Sequence, residues 1–174
     1  MHKMTIGTVL FDQAKGAAVV TLMEEGGDRM LPIFIGIWEG MAIFRELNRA
    51  AAHRPTLHDL VHNILLGFQA RIDKVIIDAL SEGTYYAQVY ITQNGTTMIA
   101  DARPSDALGL AVKFQATIYV AEVVLEAAGK RVDMAGSSET TAASTAETTS
   151  ELLSTEDVHA WLENVRPEDF AEPQ

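Results

Sequence analysis

The composition of the chain changes sharply near residue 130, and this change decides where a folded core can form. Residues 137–151 read SSETTAASTAETTSE, with no aromatic and no large aliphatic side chain. Such a segment cannot bury enough apolar surface to offset the entropy of ordering it. We therefore predict a disordered linker rich in Ser, Thr, Ala and Glu at 130–151, and one folded domain at 1–129.

The negative charge of the chain is concentrated beyond the same boundary. The 174 residues carry 24 Asp+Glu against 13 Lys+Arg, a formal net charge of −11. Residues 1–129 hold 14 acidic and 10 basic side chains, giving −4, and the remainder holds −7. This excludes a domain whose whole surface is basic, as in many nucleic-acid-binding proteins, and it indicates an acidic tail at 152–174.

Apolar residues recur at helical spacing within the tail. They are Val158, Trp161, Leu162 and Val165, and Pro167 follows them. This spacing predicts a short amphipathic helix. The helix would dock either on its own domain or on a partner or second subunit, and both alternatives stay open.

The chain lacks the sequence signals of an oxidising compartment or a membrane. It has no cysteine, which excludes disulfides, thiolate metal ligands and a thiol nucleophile. Its first residues contain no apolar signal-peptide segment. The most apolar run, 31–38, is far shorter than the roughly 20 residues of a membrane span. We therefore expect a cytoplasmic protein without membrane contact.

Alternating and apolar runs predict strands over 1–129, and apolar residues at the 3.6 period predict helices. The predicted strands are 5–11, 17–23, 30–35, 74–80, 84–91, 96–100 and 117–120, and the predicted helices are 38–52, 57–69, 104–114 and a short one at 121–128. The order βββα-α-βββα-β indicates an α+β fold with mainly antiparallel sheet or sheets and three principal helices. The recurring βββα unit raises an internal duplication as a hypothesis. Pro32 lacks an N–H, so we expect it at a sheet edge or strand start.

The predicted helix at 57–69 carries an apolar stripe that we expect to face the core. The stripe consists of Leu57, Leu60, Val61, Ile64, Leu65 and Phe68. His58 and His62 lie outside this stripe, so we do not expect them to be part of the core. His58 with Asp59 would suit a general base and its orienting group, and an i, i+4 histidine pair can bind a metal. A solvated helix face is the structural alternative, which we favour for His62.

An Arg-Pro pair precedes two of the predicted helices, at 54–55 and at 103–104, and a carboxylate follows each, Asp59 and Asp106. Proline is preorganised for the first helical turn, and Thr56 with Asp59 fits a capping box. A structural role at the helix N-terminus would account for all of these features. They are equally suited to two anion sites, because a helix N-terminus beside an arginine attracts phosphate.

The densest polar cluster lies at a predicted strand-to-helix junction, and it contains Asp101, Arg103, Ser105 and Asp106. Two carboxylates and an arginine suit metal-assisted phosphoryl chemistry, in which the acids hold a divalent ion and the arginine stabilises developing charge. Glu39 is a further candidate ligand, or simply a first-turn acid on the helix dipole. We expect no organic cofactor, since no Walker A or dinucleotide-binding glycine pattern is present.

Five short motifs, in their order along the chain, resemble the bifunctional nuclease domain family. They are LPIFIG at 31–36 with Glu39, RPTLHDL at 54–60, GTYYA at 83–87, DARPSDA at 101–107 and IYV at 118–120. The resemblance covers about residues 3–128, and DARPSDA is its most specific string. The family usually has Thr directly before the His-Asp pair, where this chain has Leu57.

The resemblance implies an α+β domain, often dimeric, with the DNase and RNase activities reported for some plant members. We place the roles of a nuclease on the matching positions. The predicted catalytic residues are His58, Asp59, Asp106 and Glu39. The predicted phosphate-binding residues are Arg54, Arg103 and Ser105. The predicted ligands of a divalent metal are Asp101, Asp106 and Glu39. The expected partners are DNA or RNA and a second copy of the chain.

Two alternatives to a nuclease stay open. The same pocket would serve a non-catalytic module that binds an anionic metabolite or a protein. A net charge of −4 weakens binding to long polyanions, which favours such a module or a nuclease that acts on short ends. The second alternative is a structural dimer whose polar clusters only cap helices.

Overall fold

The computed structural model describes residues 1–50 and 53–131. Its strands are β1 (His2–Asp12), β2 (Ala17–Glu24), β3 (Arg29–Gly36), β4 (Ala70–Ser81), β5 (Thr84–Gln93), β6 (Thr96–Ala102), β7 (Thr117–Val120) and β8 (Lys130–Arg131). Its helices are α1 (Ile37–Leu47), α2 (Leu57–Gly67), α3 (Pro104–Phe114) and α4 (Glu122–Ala128). The predicted α+β class is confirmed, with α4 as a fourth helix beside the three principal ones.

All eight strands of the described residues belong to one sheet, in the order β6-β5-β4-β7-β1-β2-β3-β8. Neighbouring strands are antiparallel except β4 and β7, which are parallel. Two three-stranded meanders, β1–β3 and β4–β6, are each followed by a helix, and β7 lies between them. The predicted βββα units are therefore present, while their origin by duplication stays a hypothesis.

The sheet curls until strands from its two halves meet. The Tyr85 hydroxyl on β5 donates a hydrogen bond to the Pro32 carbonyl on β3 at 3.3 Å. Four strands lie between β5 and β3, so a flat sheet would hold them about 24 Å apart. The curled sheet encloses the core, whose largest fully buried side chains include Leu22, Leu31, Ile33, Ile76, Ile77 and Leu108.

Three helices pack as a group, with α3 against β4 and β5, and with α1 and α2 against α3. The α3 helix is the most buried, as its almost uniformly apolar sequence predicts. Lys113 on α3 forms ion pairs with Glu46 on α1, at 3.3 Å, and with Asp59 on α2. This lysine therefore joins all three helices and fixes the relative positions of their ends.

The predicted orientation of α2 is wrong. Leu57, Leu60, Ile64 and Phe68 are 67%, 51%, 48% and 66% exposed, whereas His58 is the buried residue of this helix. A second stripe at the same spacing faces inward, and it consists of His58, Val61, His62 and Leu65. Both stripes satisfy the helical period. The space beside α3 selects the second, because Gly109 leaves room there for the His58 ring.

The ends of the described chain refine the predicted boundaries. Lys130–Arg131, at the start of the predicted linker, pair with Arg29–Met30. Pro32 lies in β3 beyond this short pairing, so the predicted edge position is confirmed. The rest of the predicted linker and the acidic tail with its helix lie outside the described residues. No helix within 1–50 or 53–131 is long and apolar enough to cross a membrane.

Candidate active site

The first turns of α1, α2 and α3 meet at one small cleft, which we call the His58 pocket. Its volume is about 220 Å³. It is lined by Trp38, Glu39, Ala42, Thr56, Leu57, His58, Arg103, Ser105 and Asp106. Each helix N-terminus carries a partial positive charge, so three such ends around one cleft favour an anionic ligand.

An arginine joins the two carboxylates of this pocket. The Arg103 guanidinium donates to both oxygens of Asp106, at 2.7 and 3.1 Å, and to Glu39 Oε1 at 3.2 Å. The hydrogen bonds to Asp106, with the one to Glu39, raise the pKa of Arg103. We call these three residues the acid–arginine triad. Its formal charge is −1, and it ties the start of α1 to the start of α3.

His58 is the buried titratable group of the pocket, with 8% of its surface exposed. A Cβ at Gly109 would overlap the imidazole, so the ring lies directly against the α3 backbone. Burial lowers the pKa of His58, and the charges of Glu46, Asp106 and Asp59 oppose that shift only in part. The imidazole is therefore neutral at pH 7. It forms no hydrogen bond with the described residues, which leaves it available as a base.

Ser105 supplies a hydroxyl group to the same pocket. The residue is buried, with 6% of its surface exposed, and it lies in the first turn of α3. Its hydroxyl forms no hydrogen bond with another described residue. A phosphate oxygen in the pocket can therefore accept a hydrogen bond from it.

Asp59 lies beside the pocket and is committed to other partners. Its Oδ2 accepts hydrogen bonds from the Thr56 N–H at 2.8 Å and from the Thr56 hydroxyl at 2.9 Å. The predicted capping box is thereby confirmed, with Thr56 as the cap of α2. The ion pair with Lys113 and these bonds hold the pKa of Asp59 well below its usual range. No hydrogen bond joins Asp59 to His58 in the described part of the chain.

The structure brings together two of the three predicted metal ligands. Glu39 and Asp106 meet, but the guanidinium of Arg103 lies between them. Asp101 is exposed on β6 and does not line the pocket. No three His, Asp or Glu side chains within 1–50 and 53–131 are grouped as a metal site requires. The described side chains therefore do not fit a three-ligand ion site.

A larger cleft of about 670 Å³ adjoins the His58 pocket and shares Thr56 with it. We call it the arginine cleft. Its charged lining consists of Arg45, Glu46, Arg49, Arg54, Asp59 and Lys113, with His62 also on its wall. The predicted phosphate-binding residue Arg54 lies here, apart from Arg103 and Ser105.

Several residues of these two clefts were not predicted from the sequence. Arg45 lies in the last turn of α1, and Arg49 follows the end of that helix. Two arginines only four residues apart were the available signal. Trp38, 79% exposed, borders the His58 pocket. The sequence feature that could have indicated Trp38 was its position directly before the candidate ligand Glu39. No local pattern connected Lys113 to α1 and α2.

Comparison with known proteins agrees with the motifs that meet in this pocket. The model of the bifunctional nuclease domain matches residues 20–133. An uncharacterized protein of Mycobacterium tuberculosis is 33% identical over 98% of both chains. Bifunctional nuclease 1 and bifunctional nuclease 2 of Arabidopsis thaliana are each 27% identical, over 78% and 76% of this chain. This chain spans 43% and 41% of those two plant proteins. The family match covers roughly two thirds of the chain, and the chain therefore belongs to the bifunctional nuclease domain family.

Proposed function

We propose that this protein hydrolyses phosphodiester bonds of DNA or RNA, with the His58 pocket as its active site. The observation that carries the proposal is the convergence of three helix N-termini on a buried, neutral histidine. The Ser105 hydroxyl and the acid–arginine triad lie in the same pocket. Membership in the bifunctional nuclease domain family supports the reaction class.

The pocket suits general-base catalysis on a bound phosphate. Neutral His58 accepts the proton of the attacking hydroxyl group, which is water or, in RNA, the ribose 2′-hydroxyl. The attacking oxygen forms a bond to phosphorus, the bond to the leaving oxygen breaks, and that oxygen takes a proton from solvent. Helix N–H groups, the Ser105 hydroxyl and the Arg103 guanidinium stabilise the charge that develops on the phosphate oxygens. Glu39 and Asp106 hold the guanidinium in position.

Replacing the base tests this mechanism. We expect His58→Gln to lower the cleavage rate about 100- to 10,000-fold, the range that positioned general bases contribute. The matched control is His53→Gln, because His53 is exposed and lines neither cleft. Circular dichroism checks that both variants fold. A His58→Gln variant that is folded and cuts at the wild-type rate would place the activity elsewhere or in a contaminant.

The same assay addresses the predicted divalent ion. Metal-free protein is assayed with a chelator and then with added Mg²⁺ or Mn²⁺. Activity that depends on the ion would support a metal-assisted reaction, and Asp106→Asn would then be expected to raise the Mg²⁺ concentration needed for half-maximal rate. Equal rates with and without the ion would support cleavage by the protein side chains alone.

One observation favours a second candidate, a non-catalytic module that binds an anion or a protein. The acid–arginine triad has a formal charge of −1, so its arginine is already neutralised when a phosphate arrives. A thermal-shift screen with nucleotides separates the two candidates. Stabilisation by nucleotides without any turnover of DNA or RNA would favour the binding module.

We further propose that the protein forms a homodimer through the outer face of α2. Leu57, Leu60, Ile64 and Phe68 lie on that face at helical spacing, and each is about half exposed or more. A contiguous apolar stripe on a surface helix is typical of an interaction surface. A second copy presents the same stripe, and an isologous contact between two such helices would cover both.

A further inference from the structure

Most basic side chains of the domain form ion pairs with carboxylates, and the arginines that do not lie together in one cleft. Residues 1–129 contain ten Lys and Arg. Six of them form ion pairs with carboxylates, namely Lys3, Lys15, Arg29, Arg71, Arg103 and Lys113. Lys74 instead lies 4.5 Å from the centre of the Tyr90 ring. The other three, Arg45, Arg49 and Arg54, have no carboxylate partner among the described residues, and all three line the arginine cleft.

The arginine cleft therefore carries a local positive charge in an acidic domain. Lys113 and its two partners, Glu46 and Asp59, together contribute a charge of −1, and the three unpaired arginines contribute +3. The balance in the cleft is +2, against −4 for residues 1–129. A concave site with this charge attracts anions, and unpaired guanidinium groups bind phosphate oxygens through paired N–H donors.

The size and position of the cleft indicate which phosphate compound it would hold. Its volume of about 670 Å³ lies within the range of sites that hold a nucleotide-sized ligand. It adjoins the His58 pocket at Thr56. A strand with one phosphate in the His58 pocket would reach the arginines with its neighbouring phosphates.

The backbone at Arg49 allows one of these charges to be removed without strain. Arg49 follows the end of α1 with a φ of +49°, in the left-handed region where glycine is the common residue. This conformation makes Arg49→Gly an informative variant, because glycine removes the charge and also fits the backbone.

We propose that the arginine cleft binds the phosphates of a single nucleic-acid strand that flank the bond cleaved in the His58 pocket, with Arg45, Arg49 and Arg54 as the phosphate ligands. This proposal rests on the proposed function and names the part of the substrate that the second cleft recognises. It also explains how a domain of net charge −4 holds a polyanion. The binding charge is confined to one cleft instead of spread over the surface.

Binding of a labelled oligonucleotide tests the proposal. The full chain carrying His58→Gln keeps the probe intact, and fluorescence anisotropy measures its affinity for a single-stranded 12-mer of DNA or RNA at several salt concentrations. Adding Arg45→Gln, Arg49→Gly and Arg54→Gln together should weaken binding at least tenfold. The slope of log affinity against log salt should fall by about 2, since each phosphate contact on a single strand contributes about 0.7.

The control is Arg71→Gln, which removes one positive charge, as each single cleft variant does, from an arginine already paired with Asp73. It should leave affinity and salt slope unchanged. Because Arg49→Gly suits the local backbone, that single variant should melt at or above the wild-type temperature while it weakens binding. Wild-type affinity in the triple variant, or an equal loss with Arg71→Gln, would overturn the proposal.

Two further measurements separate the sources of phosphate and the two proposals. A mononucleotide and inorganic phosphate are titrated beside the 12-mer, and affinity as high for either as for the strand would overturn the strand assignment. If His58→Gln loses cleavage while the triple arginine variant still binds the strand, the proposal for the arginine cleft is refuted and the proposed active site is supported. If His58→Gln cleaves at the wild-type rate while the triple variant loses binding, the proposed active site is refuted and the arginine cleft is supported as a binding site.

Discussion

A histidine that the core encloses has consequences for both chemistry and stability. His58 lies against the backbone of α3 at Gly109, where an imidazolium would lose its hydration. The folded protein therefore holds this side chain in its neutral form, which is the form a general base requires. The same desolvation makes the free energy of unfolding depend on pH.

We expect the protein to lose stability as the pH falls below 6.5, the ordinary pKa of histidine, because His58 has a lowered pKa in the folded state. In that range the unfolded chain takes up a proton that the folded state resists. The contribution of His58 is fully present above pH 6.5 and declines by at most about 1.4 kcal/mol per pH unit below it.

Urea denaturation of wild type and His58→Gln between pH 7.5 and 5.5 measures this contribution. His58→Gln should show a shallower decline than wild type, because it removes the group whose pKa is lowered by burial. Parallel pH profiles for wild type and His58→Gln would contradict a lowered pKa at this position.

At the scale of elements, the contact between α2 and α3 depends on one glycine. Gly109 stands in the interior of α3, where alanine would favour the helix by about 1 kcal/mol. The position nevertheless holds glycine, since a methyl group there would overlap the His58 ring. Glycine at this site thus gives up helix propensity and leaves space for the His58 imidazole.

We expect Gly109→Ala to destabilise the protein and to reduce cleavage, although alanine is the better helix former. Adding His58→Ala removes the clash, so the double variant should recover the stability lost by Gly109→Ala without recovering activity. Chemical denaturation of the four proteins in this cycle gives the coupling between the two residues. Additive effects would show that the ring and the glycine do not contact each other.

At the scale of the whole molecule, the exposed stripe of α2 predicts self-association. We expect light scattering with size exclusion to give twice the chain mass of 19.0 kDa for wild type. Leu60→Lys with Ile64→Lys should give the monomer mass, because two charges at each outer helix face oppose an isologous contact. Both side chains are about half exposed, so the variant should stay folded.

The control for this experiment is Val123→Lys on α4, since Val123 is an exposed apolar residue away from α2. It should leave the mass unchanged. A wild-type monomer at micromolar concentration would contradict the dimer. Dissociation by Val123→Lys with no effect of the α2 variant would move the interface to α4.

Particular elements show how far the chain could be understood before its structure was known. The meander strands and the capping box of Thr56 follow from local rules, and both are present. The inward face of α2 did not follow, because two stripes satisfy the same period and only contact with α3 chooses between them. Similarly, Asp101 belongs to the most specific motif but lies on β6 outside the pocket, since adjacency along the chain does not fix where a strand ends and a helix turns away.

The sequence by itself determined the fold class, the family and the residue types available for chemistry, because periodicity, turn chemistry and motif order are local properties of the chain. Only the tertiary structure decided which of those residues meet. Glu39, His58 and Asp106 come from three different helices, and packing of α1 and α2 on α3 brings them to one pocket. Arg45 on α1, Arg49 just after it and Arg54 before α2 likewise line one cleft only in the folded chain. None of them has a carboxylate partner among the described residues, because electrostatic partners are set by distance in space and not by spacing along the chain.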